Sequence, residues 1–176
     1  MRLATFRDLV LAAAIAVGSA CGRAGMPRTA LQPEESQRVA TISEDSVSAH
    51  LPAVRACGAR FLSQAHGAWT PPPRAAAAAD RMATNWFRAH HTAGKDEKWY
   101  RQALGVVIDG HRHIAILGTS AALMEGSTSI PFAVQDLVTS WPVRPIALCD
   151  ASTLQYYALI DEHSRRLLHF TFGAGD

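Results

Sequence analysis

His111-Arg112-His113 is the constellation in this chain closest to metal-ligand spacing. On an extended strand, residues two apart point to the same side, so both imidazoles would reach one ion. His90 and His91 would supply a third ligand if the helix carrying them packs beside that strand. However, His111 directly follows Asp109-Gly110 and falls in an expected turn, where strand alternation does not hold. HExxH and CxxC are absent, and no carboxylate stands at a recognisable ligand spacing. Exposed histidines on a polar hairpin are the plainer reading, and no cofactor is expected.

Nucleophilic chemistry has less to build on. There is no GxSxG elbow, so choosing a Ser-His-Asp set would be arbitrary. Cys149-Asp150 with His163 or His169 would make a thiol site, but a cysteine closing an apolar strand is more often buried or bridged. Asp161-Glu162 fall in an expected turn, where adjacent carboxylates are solvated. Phosphate loops of the GxxxxGK[ST] and GxGxxG kinds are missing. No catalytic residue is assigned.

Aromatic side chains are the remaining resource. Trp99-Tyr100 and Tyr156-Tyr157 each place two aromatics in succession in strand or strand-entry positions, so one of each pair should face outward. Outward rings on an open sheet face would bind a peptide, a glycan or a partner protein. These four residues form the expected binding surface.

The N-terminus speaks to address. Arg2 and Arg7 precede a nine-residue apolar run, Leu9 to Val17, and then the small residues Gly18, Ser19 and Ala20. This is the layout of a secretory signal peptide, and the run is far short of the ~20 residues that span a bilayer. Cys21 follows at once, and the junction resembles the lipobox of bacterial lipoproteins. Gly18 stands where that pattern usually has a larger aliphatic residue, so ordinary cleavage after Ala20 is the alternative. The resemblance covers about the first 21 residues. It implies a lipid on Cys21, attachment to the membrane and, with Gly22 next, outer-membrane sorting facing the periplasm.

Lipidation of Cys21 would leave Cys57 and Cys149 as an even pair. A bridge between them suits an exported chain, and two buried thiols are the alternative. Taking Arg2, Arg7 and Asp8 from the chain's 17 basic and 15 acidic residues leaves 15 and 14, a formal +1. That balance gives no electrostatic footprint for nucleic acid.

These groups must be positioned by one domain. Residues 1–20 are read as the leader, 21–42 as a flexible tether and 43–176 as a single α+β domain. Apolar spacing predicts a first helix from about Leu51 toward Gln64, with Pro52 in its first turn. The alanine-rich stretch 74–91 predicts a second, with Gly94 placed to cap it. Asp109-Gly110 predicts a hairpin between strands 105–108 and 113–117. Residues 119–129 read as loop, and 131–141 as a short inserted helix opened by Pro131. Ile146 to Cys149 reads as a strand, and Gln155–Ile160 with Leu167–Phe172 as a closing hairpin in which Leu168, Phe170 and Phe172 share the inner face. An antiparallel sheet of about five strands follows, with the helices on one face and the other open to solvent.

The reading that results is a non-catalytic bacterial envelope lipoprotein that binds an envelope protein or other component. One alternative is a secreted or periplasmic hydrolase or metal-dependent enzyme using His90, His91, His111 and His113. Another is an unlipidated periplasmic inhibitor or accessory factor.

Overall fold

The computed structural model describes residues 39–91, 97–125, 134–149 and 152–173. Cys21, Gly94, Pro131 and Asp150 lie outside them. The domain is α+β, built on six strands in one mostly antiparallel sheet. β3 (Trp99–Ile108), β4 (His111–Ser120), β5 (Gln155–Asp161) and β6 (Leu167–Phe172) form an antiparallel meander. The remaining edge of β3 is shared by two three-residue strands. β1 (Val39–Thr41) runs parallel along Arg101–Ala103, and β2 (Gly67–Trp69) runs antiparallel along Gly105–Val107. Residues 39–41, expected in the tether, therefore belong to the sheet.

The hairpin tip follows from local chemistry. Asp109 and Gly110 both adopt positive φ, 50° and 77°, which matches the two-residue turn that continues strand twist. His111 pairs with Ile108, so both strands run ten residues: β3 starts earlier than expected and ends at Ile108 as expected, and β4 is longer at both ends.

Helix α1 spans Glu44–Cys57 rather than starting near Leu51. Ser43 caps it, its Oγ accepting from the Ser46 amide at 3.3 Å, and Glu44 and Asp45 complement the helix dipole. Pro52 is inside the helix, on its exposed side, and the missing bond is outweighed by this start and by the burial of Val47 and Val54. A 3-10 turn, Arg60–Gln64, follows. Helix α2, Pro73–His90, forms where the alanine-rich stretch predicts it and opens one residue earlier, on proline at the first helical position. α3 (Ala121–Met124) forms where a loop was expected, with Ser120 Oγ accepting from the Leu123 amide. α4 is Val134–Ser140.

The helices do not share a face. Val47 and Val54 of α1 pack with Leu104, Val106, Leu117, Tyr157 and Leu159 on one side of the sheet. Ala76, Ala79 and Ala83 of α2 pack with Ala103, Ile116, Tyr156 and Ala158 on the other. The open face expected from sequence is covered by α2. Strand alternation explains it: β5 is buried on both sides from Gln155 to Ile160, a run that a one-sided sheet would not produce.

Two further expectations give way. Ile146–Cys149 forms no strand. In β6 a bulge opposite Leu159/Ile160 takes Leu168 out of the alternation, leaving it 45% exposed, while Phe170 and Phe172 pack against the α2 side. Among the described residues no helix is long and apolar enough to cross a membrane.

Candidate functional site

The four aromatics expected at the surface are distributed otherwise. Tyr100 and Tyr156 are 2% exposed and Tyr157 is fully buried, while Trp99 is half-buried. Tyr156 lies over Gly118, where a Cβ would overlap its ring, and stacks against Phe170 at 5.1 Å. Burial by α2 pushes its hydroxyl's pKa well up. Tyr157 points to the α1 side, and burial moves it up to about 12. Tyr100 packs edge-on against Trp141 at 5.4 Å and reaches Glu125 with its hydroxyl. These rings are core, because both faces of the sheet carry a helix.

Aromatics that do reach solvent form a row along α2 and β6. Trp86 stacks between His90 at 4.3 Å and Phe170 at 4.4 Å, and His91 meets Phe172 edge-on at 4.7 Å. The helical spacing of Trp86 and His90 brings them together on one side of α2.

The histidine pairs do not converge. His91 sits beside Phe172, which is in register with Tyr156 and, through it, Gly118. His113 is five residues farther down β4, roughly 17 Å along a strand. His111 is exposed at the tip. His113 is buried, with Nδ1 3.0 Å from the His111 carbonyl and Nε2 3.9 Å from Asp161 Oδ2. Ser164, through its side chain and its amide, holds the Asp161 carboxyl below the usual range. Among the described residues no three His, Cys, Asp or Glu side chains are placed to hold a metal ion.

The Cys57 and Cys149 sulfurs are 1.95 Å apart, at bonding distance. Cys149 is therefore not a free thiol, and His169, imagined beside it, stacks instead on Phe61 at 5.3 Å.

Buried polar groups that sequence reasoning passed over do the positioning. Gln102 of β3 donates from Nε2 to the carbonyls of Trp141 and Arg144, each at 2.6 Å, and accepts from the Ile146 amide at 2.8 Å. Gln155 of β5 accepts from the Leu148 amide at 3.0 Å and donates to the Ile146 carbonyl at 2.7 Å and to Thr119 Oγ1 at 2.9 Å. Two side-chain amides thus replace a strand partner for residues 141–148. On the opposite side, Asp80 of α2 meets Arg101 of β3 at 3.2 Å, and Arg101 also donates to Thr84 Oγ1 at 3.0 Å. Burial raises the Asp80 pKa, against the pull of Arg101, and Asp80 Oδ1 has no hydrogen-bond partner among the described residues. The signal was in the sequence: a glutamine at an inward position of an apolar strand, and an aspartate in the buried stripe of an alanine helix.

No family model matches the chain, and neither the curated proteins nor the solved structures contain a match to it.

Proposed function

We propose that the chain is an exported bacterial envelope lipoprotein, anchored through Cys21, whose α+β domain serves as a non-catalytic accessory or binding module. The observation that carries this reading is the Cys57–Cys149 pair at bonding distance. Disulfides persist in oxidising compartments, and this pairing leaves Cys21 as the odd cysteine, at the junction that resembles a lipobox. The non-catalytic part is supported by how buried polar side chains are used. Gln102, Gln155 and the Asp80–Arg101 pair are engaged in holding backbone segments and helix to sheet. With Tyr100, Tyr156 and Tyr157 in the core, the reading rests on address and cross-link rather than on a contact surface.

Intact mass and N-terminal mapping of the mature protein, from membrane and soluble fractions, test it. The expected result is a start at Cys21 carrying diacylglycerol, with two further cysteines resistant to alkylation until reduced. An unmodified start in the soluble fraction would replace the anchored protein by the unlipidated periplasmic factor.

A further inference from the structure

Residues Trp141–Cys149 form a strap across the α1 side of the sheet, and its two ends are held differently. The proximal end is deeply anchored. Trp141, Pro145 and Ile146 are buried, Gln102 makes three hydrogen bonds to it, and Ser46 Oγ donates to the Val143 carbonyl at 2.7 Å. The distal end is shallow. Ala147 and Leu148 are half-buried, Cys149 is exposed, and among the described residues its backbone is held at Leu148, whose amide donates to Gln155 and which also bonds the Tyr157 side chain. What fixes it is the covalent link to the C-terminal residue of α1. Nearby, the Tyr157 hydroxyl reaches both the Cys57 carbonyl and Gln155 Oε1, so the cross-link and the glutamine latch adjoin.

We infer that Ala147–Cys149 is a redox-released end of this strap: cleaving the Cys57–Cys149 bond frees it, while the proximal strap and the six-stranded sheet stay in place. The reductant is a dithiol, either a small molecule or a CxxC-type oxidoreductase. Its thiolate attacks the exposed Cys149 sulfur, forming a mixed disulfide and expelling Cys57 as a thiolate. The second thiol of the reductant then attacks the mixed disulfide and releases Cys149. The dithiol leaves as a disulfide, having passed two electrons to the cysteine pair. Once freed, the distal end is held only at Leu148, by the Gln155 and Tyr157 side chains, among the described residues. Local opening then requires far less than global unfolding.

Residue-resolved hydrogen exchange on the mature protein, oxidised and after treatment with dithiothreitol, tests this. Reduction is expected to speed exchange of the Leu148 amide by about tenfold or more beyond any rise common to the sheet, because the freed end then opens without global unfolding. The Ile146 amide, held by Gln102, and the amides of β3–β5 should share only a smaller common rise, set by the bond's contribution to global stability. An unchanged Leu148 amide overturns the inference. So does an equal rise at Ile146 and Leu148, which would mean the whole strap leaves, and so does a rise across β3–β5 equal to that at Leu148, which would make the bond a global staple alone. None of these outcomes bears on the N-terminal mass, so this inference and the lipoprotein reading stand or fall separately.

Discussion

The two faces of the sheet are covered by different physics. On the α2 side, small residues let a helix lie close. Ala76, Ala79 and Ala83 face Ala103 and Ala158, Tyr156 lies over Gly118, and the buried ion pair Asp80–Arg101 ties helix to strand. On the α1 side, a shorter helix leaves part of the sheet to an irregular strap, held by Gln102, Gln155 and a cross-link. A face closed by van der Waals fit depends on shape, whereas a face closed by side-chain amides depends on each donor and acceptor being answered. The first fails by cavity or stranded charge, and the second by orphaned backbone groups.

The largest expected effect breaks the α2 side. Arg101→Met strands the Asp80 carboxylate and should cost about 3–5 kcal/mol at neutral pH in urea unfolding, as removing one partner of a buried pair does. The pH profile gives the sign. Because the folded pKa of Asp80 lies above its ordinary 3.8, the native state binds the proton more readily than the unfolded chain. Its contribution therefore falls as pH rises from 3.8 through the raised value, and recovers on acidification. Asp80→Asn should flatten that component, and an unchanged profile would show that the carboxylate is already relieved by solvent.

Next is the cross-link that distinguishes the α1 side. Cys149→Ser under oxidising conditions should cost about 2–4 kcal/mol, since the bond closes a loop with a sequence separation of 92 residues. Stability equal to the parent would show that the amide latch alone closes this face. The latch itself comes third. Gln155→Leu leaves the Ile146 carbonyl and Leu148 amide without their partner and should cost about 1–3 kcal/mol, with faster exchange at Leu148. The smallest effect is outside both faces. Gly110→Ala forces a side chain onto a φ of 77° at the hairpin tip and should cost about 1 kcal/mol, read as a small shift in the denaturant midpoint. A comparable loss from Gln155→Leu would mean that the strap is no more than a surface turn in energy.

Local signals carried much of the architecture. Asp109-Gly110 specified its hairpin, the alanine run its helix, and the 155–172 segment its closing pair of strands, because each depends on contacts within a few residues. The first helix starts earlier than Pro52 alone implies, because the Ser43 cap, eight residues before Leu51, sets its N-terminus. Burial of Tyr100, Tyr156 and Tyr157 was not legible, since alternation tells which residues share a face but not whether that face is covered. The histidines would converge only if both ends of β4 met the same part of α2, and His91 lies at the Gly118 end, away from His113.

From the sequence by itself came the class of the domain, its hairpins, its alanine helix and the cysteines available to pair, all properties of short windows and counts. Only the tertiary structure decided that helices lie on both faces, that two short strands share one edge of β3, and that Gln102 and Gln155 serve as a strand partner for residues 141–148. Those features join residues tens of positions apart, and they exist because buried backbone groups must find a partner wherever the chain's path brings one within reach.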